Sequence, residues 1–170
     1  GGVARDFTSS LLEKLKQFLD YFPPKIDEYV IFLEKNRIWV ARTKGVAVIS
    51  AEDAVSFGLS GPTLRGSGVD YDLRKAEPYS AYPKCEFSVP LGKNGDTYDR
   101  YWIRVQELYE SVKIIRQCLE QMQDGPIMAD VPSVTLPPKQ RVFTNLESMI
   151  QQFKLFSQGF NAPPGQIYCG

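Results

Sequence analysis

The chain has 170 residues, which is long enough for one domain with a hydrophobic core. Its 20 basic side chains balance its 20 acidic ones, so the net charge is zero and binding to nucleic acid through phosphate contacts is disfavoured. The sequence has no histidine, which excludes zinc sites with imidazole ligands and the serine–histidine and cysteine–histidine couples of many enzymes.

The first predicted element is a long amphipathic helix over residues 10–35. Ser10 and Glu13 have the spacing of a capping box, and apolar side chains follow at intervals of three and four residues. Pro23 and Pro24 interrupt this pattern, and a proline removes one helical hydrogen bond. The segment is therefore predicted as a kinked helix or as two abutting helices with one buried face.

The next signals along the chain are short. The β-branched run 45–49 is typical of a buried strand or a turn, and Ser50 has the position of a cap for a helix over 50–57. Residues 58–68 contain four glycines and a proline, and are predicted as a loop that is long enough to be functional. One short strand is expected near residues 86–89.

The clearest element is a helix over residues 96–122, where aromatic and aliphatic side chains recur at helical spacing. A second apolar stripe predicts a helix over residues 144–157, with a capping box that begins at Thr144. Helices of such length are typical of bundles. The fold is therefore predicted to be mainly α: a helical bundle with long helices, irregular loops rich in glycine and proline, and few short strands.

The three cysteines are widely separated in the sequence. Cys85, Cys118 and Cys169 lie 33 and 51 residues apart, which excludes the spacing of iron–sulfur, zinc-ribbon and thioredoxin-like sites. Such a set is typical of free thiols that pack in a reducing compartment.

No uncharged apolar run has the roughly 18 residues of a membrane-spanning helix. The chain begins with glycine rather than methionine, and it stops at residues 167–170, where an extended apolar segment is expected to begin. Both ends are therefore interpreted as cuts in a larger protein.

A cluster of charged residues is the strongest candidate for a site. Asp70 and Asp72 lie close in sequence to Arg65 and Arg74. Paired carboxylates can transfer protons, whereas guanidinium groups that hold carboxylates fix the conformation of a loop. The structural interpretation is favoured, because paired ions without a cleft-forming partner are usually structural.

The glycines of residues 58–68 also invite comparison with a phosphate-binding loop. The pattern lacks the third glycine of a dinucleotide fingerprint. Lys93 is followed by asparagine, where a P-loop has serine or threonine. Nucleotide binding is therefore disfavoured.

The order of short runs along the chain carries a family resemblance. The most specific run extends from Gly58 to Lys75, and contains GLSGPTLRGSG followed by YDLRK. Others include GVAVIS at 45–50, YDRY at 98–101 and FKL at 153–155. With these runs the sequence resembles the forty-nine-kilodalton core subunit, also called the D subunit, of respiratory complex I, the NADH:quinone oxidoreductase.

The resemblance implies a place in the quinone-reducing module of complex I. In that module, this subunit and an iron–sulfur neighbour enclose the quinone headgroup near a 4Fe–4S cluster. The whole enzyme transfers electrons from NADH to ubiquinone and couples this transfer to proton translocation. The implied fold is related to the large subunit of nickel–iron hydrogenases. The chain, residues 1–170, is expected to be a central-to-C-terminal fragment that serves as scaffold and wall of the quinone cavity.

The expected site and partners also follow from the resemblance. The candidates for lining the quinone cavity or structuring its loop are Arg65, Ser67, Asp70, Asp72 and Arg74. No catalytic, cofactor-binding or metal-binding residue is expected in this chain alone; the quinone and the cluster are expected with the neighbouring subunit. The expected partners are other complex I subunits, above all the iron–sulfur subunit and chains that supply the missing terminal parts, and no nucleic acid.

The resemblance also implies a membrane location through the complex. The amino-acid sequence near residues 36–39 and 65–68 resembles mitochondrial members of the family more than bacterial ones. It therefore favours the matrix side of the mitochondrial inner membrane. The alternative is the cytoplasmic face of a bacterial plasma membrane.

Some positions depart from the family pattern. Gln151 and Gln152 stand where the family usually has two histidines, and Gln158 stands where it has glutamate. These changes remove titratable groups and put a proton-handling role for that helix in doubt. They support an alternative, a structural relic that assembles without a direct role at the quinone site. A hydrogenase-like catalytic domain is a third hypothesis, but it requires cysteine pairs for nickel and iron, which the sequence lacks.

Overall fold

The computed structural model describes residues 2–167 and shows a mainly helical protein, which confirms the predicted fold class. The described residues form eight α-helices and one 3₁₀ turn, with one isolated β-bridge between Gly2 and Met128. The elements are α1 Ser9–Glu34, α2 Arg37–Ala41, α3 Ala51–Ser56, α4 Gly61–Gly66, α5 Leu73–Ala76, the 3₁₀ turn Tyr82–Lys84, α6 Thr97–Gln121, α7 Lys139–Thr144 and α8 Leu146–Ser157. Cys169 lies outside the described residues.

The chain divides into two compact units. One unit is Ser9–Met122, which contains α1 to α6. The other combines Gly1–Thr8 with Gln123–Gly170 and contains α7 and α8. The helices predicted over 10–35, 50–57, 96–122 and 144–157 overlap α1, α3, α6 and α8, respectively.

The core of the first unit lies where α1 packs on α6. Leu19 and Ile26 from α1 are buried, as are Ile103 and Val112 from α6. Burying one such side chain contributes roughly 2 kcal/mol to stability. The apolar spacing that predicted both helices therefore corresponds to the face that each helix buries.

Pro23 and Pro24 lie inside α1 without ending it. Because the proline nitrogen carries no hydrogen, Pro23 cannot donate to the carbonyl of Leu19, four residues earlier. The Arg116 guanidinium on α6 donates to that carbonyl instead, at 3.1 Å, and to the Asp20 carboxylate at 2.8 Å. The helix is continuous, so of the two predicted alternatives, one helix or two abutting helices, the structure shows one helix.

Side-chain caps start several of the helices. Ser50, Asp96 and Asn145 each accept a hydrogen bond from the backbone N–H three residues later, at 3.0, 2.8 and 2.9 Å. The cap at Ser50 confirms the prediction. The cap of α8 is Asn145 rather than Thr144, because Thr144 still belongs to the preceding helix α7.

Two local predictions differ from the structure. Residues 58–68 contain the short helix α4, whose first turn holds Pro62, where the fixed φ of proline favours a helix start. For residues 45–49, where a buried strand or a turn was predicted, the structure shows a turn at 45, a bend at 46–47 and no strand. Residues 86–89 are not a strand either, because their backbone bonds to side chains of α6. The short helices α2, α5 and α7 were not predicted, since one turn shows too little periodicity.

The second unit is held together by contacts of α7 with α8 and by a short pairing near its start. Val3 donates a backbone hydrogen bond to the Ile127 carbonyl at 2.9 Å, next to the bridge between Gly2 and Met128. Helix α8 has no buried residue. Across residues 2–167, no helix is long and apolar enough to cross a membrane.

Candidate functional site

Helix α4 presents the candidate site against α6, and glycines make this close packing possible. A side chain at Gly66 would collide with Arg100, and a side chain at Gly92 would overlap the Gly66 carbonyl. The Gly92 N–H also donates to the Arg65 carbonyl at 2.9 Å. Close packing and a hydrogen bond that do not involve the Arg65 side chain therefore hold the backbone at Arg65 and Gly66.

Arg65 is the central cation of the site and is only 5% exposed. Its Nη1 donates to the Tyr71 carbonyl at 3.2 Å and lies 3.7 Å from the Asp72 carboxylate. Its Nη2 forms an ion pair with Glu107 on α6. The buried Nε has no hydrogen-bond partner in the described part of the chain. Arg65 therefore joins α4, the segment after it and α6.

Asp72 is buried between two guanidinium groups. Arg74 holds it with both prongs of its fork, Nε to Oδ1 at 2.9 Å and Nη2 to Oδ2 at 2.6 Å. The hydrogen bonds from Arg74 lower the pKa of the Asp72 carboxyl below its ordinary value, against the opposing effect of burial. Asp72 is therefore ionised at neutral pH and is a poor general base.

The structure brings together only three of the five predicted site residues: Arg65, Asp72 and Arg74. Ser67 instead donates to the Ile49 carbonyl at 2.9 Å, which fastens the end of α4 to the turn before α3. Asp70 is exposed, and no hydrogen bond or ion pair to its side chain is found within residues 2–167.

Two members of the site were not predicted. Glu107 lies on α6 and pairs with Arg65 from 42 positions away in the sequence. Phe87 lies under the Arg74 guanidinium, with 4.8 Å between the guanidinium carbon and the ring centroid. A polar residue on a helix gives no signal of a partner so far along the chain, so neither contact could be read from spacing.

The resulting cluster, Arg65, Asp72, Arg74 and Glu107, contains two cations and two carboxylates. Each carboxylate lies against a guanidinium, so the cluster is electrically balanced and mostly buried. In residues 2–167, no group of three or more potential ligand side chains could hold a metal ion. The arrangement is suited to holding a loop in one position rather than to proton transfer or metal chemistry.

A second carboxylate site lies at the start of α6. Asp99 accepts hydrogen bonds from the backbone N–H groups of Lys93 and Asn94, at 2.7 and 2.5 Å. Burial alone would raise the pKa of the Asp99 carboxyl, but these backbone bonds outweigh burial and lower it. Asp99 therefore fixes the loop before α6 as an ionised acceptor.

Tyrosines on α6 donate to carboxylates on α1. Tyr98 donates to Glu34 at 2.7 Å, and Tyr109 donates to Asp27. Burial and these hydrogen bonds raise the pKa of both phenols to about 12. Tyr98 and Tyr109 thus tie the two long helices together.

An open cavity of about 450 Å³ lies beside α8. Gln151 and Gln158 line it. Its other lining residues include Glu147, Ile150, Lys154 and Phe160. The cavity contains charged side chains of both signs and lies outside the cluster around Arg65.

Comparison with known proteins gives one consistent result. Residues 1–170 match the family described as respiratory-chain NADH dehydrogenase, 49 Kd subunit. The D subunit of the NADH-quinone oxidoreductase of Magnetococcus marinus is 52% identical over 168 residues, covering 99% of this chain and 42% of the relative. The corresponding D subunits of Geotalea uraniireducens and Rickettsia bellii are 49% and 47% identical, each covering 99% of this chain and 43% of the relative. The chain therefore spans less than half the length of these relatives.

Proposed function

The chain belongs to the 49 Kd subunit family of respiratory-chain NADH dehydrogenase, and we propose that it forms part of the quinone-reducing module of an NADH-quinone oxidoreductase. The observation that carries this proposal is the match along the whole chain, at about 50% identity, to D subunits of that enzyme. In the whole enzyme, electrons from NADH reach quinone, and this transfer is coupled to proton translocation. The chain alone is not proposed to be catalytic.

The proposed task of this segment is to be scaffold and wall of the quinone cavity. The buried Arg65, Asp72, Arg74 and Glu107 cluster supports this task, because it fixes residues 58–75 against the long helix α6. A wall must keep its shape while a ligand enters and leaves, and ion pairs with fork geometry restrict the backbone that carries them. Quinone and a 4Fe–4S cluster would be supplied with the neighbouring subunit.

The proposed partners are the other subunits of the complex, above all the iron–sulfur subunit of the quinone module and the chains that complete this subunit. Membrane association would come through the complex. The relatives named above are bacterial, which supports the cytoplasmic face of a plasma membrane. The matrix side of the mitochondrial inner membrane, which the sequence favoured, stays a proposal.

The first test identifies the neighbours of the chain. An affinity-tagged chain is extracted from its native membranes in mild detergent, and the copurifying proteins are identified by mass spectrometry. We expect NADH-quinone oxidoreductase subunits in stoichiometric amounts, including the iron–sulfur subunit. Recovery of the chain as a lone monomer would contradict the proposal.

A structural relic is the second candidate function, because Gln151, Gln152 and Gln158 replace titratable residues of the family pattern. Arg65→Lys keeps the charge but loses the planar fork, so a cavity wall should shift and quinone reductase turnover should fall. The matched control is Asp70→Asn on the exposed part of the same loop. If Arg65→Lys leaves turnover unchanged in a normally assembled complex, the relic is favoured.

A further inference from the structure

A short extended segment, residues 84–88, lies along the C-terminal half of α6 and is held there by α6 side chains. The Gln117 amide accepts from the Glu86 N–H and donates to the Glu86 carbonyl, both at 2.7 Å. One helical turn later, Gln121 donates to the Lys84 carbonyl at 3.1 Å. The segment therefore runs antiparallel to α6 in a fixed register.

This register brings two thiols together. Cys85 lies between Lys84 and Glu86, whose backbone groups bond to α6. Cys118 lies on α6 between Gln117 and Gln121, whose side chains make those bonds. Burial and a hydrogen bond with Cys85 raise the pKa of the Cys118 thiol. Cys118 is exposed and Cys85 is half-buried.

We propose that Cys85 and Cys118 form a dithiol site that a peroxide converts to an intramolecular disulfide. The reagent class is a hydroperoxide, with hydrogen peroxide as its simplest member. The proposal rests on the register of residues 84–88 against α6 and is independent of the function proposed above.

The chemistry balances in two steps. The thiolate of Cys118, the more exposed of the two residues, attacks one oxygen of hydrogen peroxide and the O–O bond breaks. A sulfenic acid forms, and the hydroxide that leaves takes up the proton released by the Cys118 thiol to give one water. The Cys85 sulfur then attacks the sulfenic sulfur; the S–O bond breaks, the disulfide forms, and a second water leaves with the Cys85 proton. Two thiols are oxidised and one peroxide is reduced to two waters.

The raised pKa of the Cys118 thiol sets the character of the site. Little thiolate is present at neutral pH, so reaction with peroxide is slow compared with that of cysteines whose pKa is lowered. Proximity favours the second step, because Cys85 lies beside the sulfenic acid and can resolve it before further oxidation. The dithiol is therefore expected to form its disulfide during prolonged exposure to peroxide rather than in a rapid signalling response.

Closure of the disulfide would act on a segment that touches the Arg65 cluster. Phe87, two residues after Cys85, is buried under the Arg74 guanidinium. A covalent bond from Cys85 to α6 would add to the glutamine bonds that already hold this segment. Oxidation would thus reduce the mobility of the backbone at Phe87, whose ring lies under the Arg74 guanidinium.

The test maps the disulfide in the protein as natively isolated. The protein is treated with hydrogen peroxide, its free thiols are blocked with N-ethylmaleimide, and it is digested with trypsin. We expect a linked pair of peptides, residues 85–93 and 117–139, that dithiothreitol separates. Phenylarsine oxide, which bridges paired thiols, should protect both cysteines from the maleimide before oxidation.

Serine variants provide matched controls. Cys85→Ser and Cys118→Ser should each abolish the linked peptide and the arsenical protection, whereas Cys169→Ser should retain both. The proposal is overturned if peroxide takes Cys118 to a sulfinic acid while Cys85 stays free. It is equally overturned if the wild-type protein links either cysteine to Cys169 instead.

Discussion

The two units of the chain differ in how they use their apolar side chains. In Ser9–Met122, Ile103 on α6 is only 1% exposed. In the other unit, Phe153 and Phe156 on α8 are 72% and 74% exposed, although their helical spacing is just as regular. Regular apolar spacing therefore shows that a helix has an apolar face, but not that the chain itself covers that face.

Charged groups differ between the units in the same way. In the first unit, Arg65 and Asp72 are buried and held by several partners. Along α8, the charged side chains of Glu147 and Lys154 are exposed and line an open cavity instead. The buried contacts of Arg65 and Asp72 lie within the first unit, so substitutions at these residues should cost far more than substitutions on α8.

The largest effect is expected for Arg65→Gln. Removing one partner of a buried ion pair leaves Glu107 without its cation, at a cost of about 4 kcal/mol in the free energy of unfolding. Urea denaturation followed by circular dichroism measures this change. Arg104→Gln on α6 is the control, since Arg104 is exposed and its guanidinium donates to the Arg100 carbonyl of its own helix. Equal losses for the two variants would contradict the central role of Arg65.

The second-largest effect is expected in the core, where the buried apolar face of α6 can be compared with the exposed apolar face of α8. Ile103→Ala leaves a cavity in the core and should lower the unfolding free energy by about 3 kcal/mol. Phe156→Ala removes a larger side chain from an exposed position and should lower it by less than about 1 kcal/mol. Native-state hydrogen exchange on the same samples shows which helix loses protection. A large loss for Phe156→Ala would mean that α8 is covered in solution.

The long helices could be predicted from the sequence, but the contacts between them could not, because a local pattern carries no information about distant partners. The stripes of α1 and α6 repeat over many turns, so their period is unmistakable, and Ser50 caps α3 as local rules require. Helix α4 has too few residues to show a period and was predicted as a loop. The pairs Arg65 with Glu107 and Cys85 with Cys118 depend on tertiary register, which no local pattern encodes.

A smaller effect is expected from pH acting on Asp72. Its folded-state pKa is lowered, so the unfolded chain binds a proton at a higher pH than the folded chain does. The stabilisation is complete above the ordinary aspartate pKa and is lost as the pH falls through the lower, folded value. Unfolding free energies measured by urea titration from pH 6 down to roughly pH 3 should therefore decline.

Two variants separate Asp72 from other carboxylates in that pH profile. Arg74→Gln removes the hydrogen bonds that lower the pKa of Asp72, so the decline at low pH should become shallower. Asp72→Asn should make it shallower too, because the titrating group is gone. A profile unchanged in both variants would assign the acid sensitivity to another group, such as Asp99.

The smallest effect tests why α1 tolerates its prolines. Arg116→Met removes the donor to the Leu19 carbonyl, and losing one such bond costs about 1 kcal/mol. Pro23→Ala restores an N–H that can bond to the same carbonyl within the helix. In the Pro23→Ala background, Arg116→Met should therefore cost less, with a coupling energy of roughly 0.5 kcal/mol in a double-mutant cycle. The ion pair with Asp20 is lost in both backgrounds and cancels from the cycle. Additive costs would show that the Leu19 carbonyl does not need Arg116, and that packing of Leu19 and Ile26 alone keeps α1 continuous.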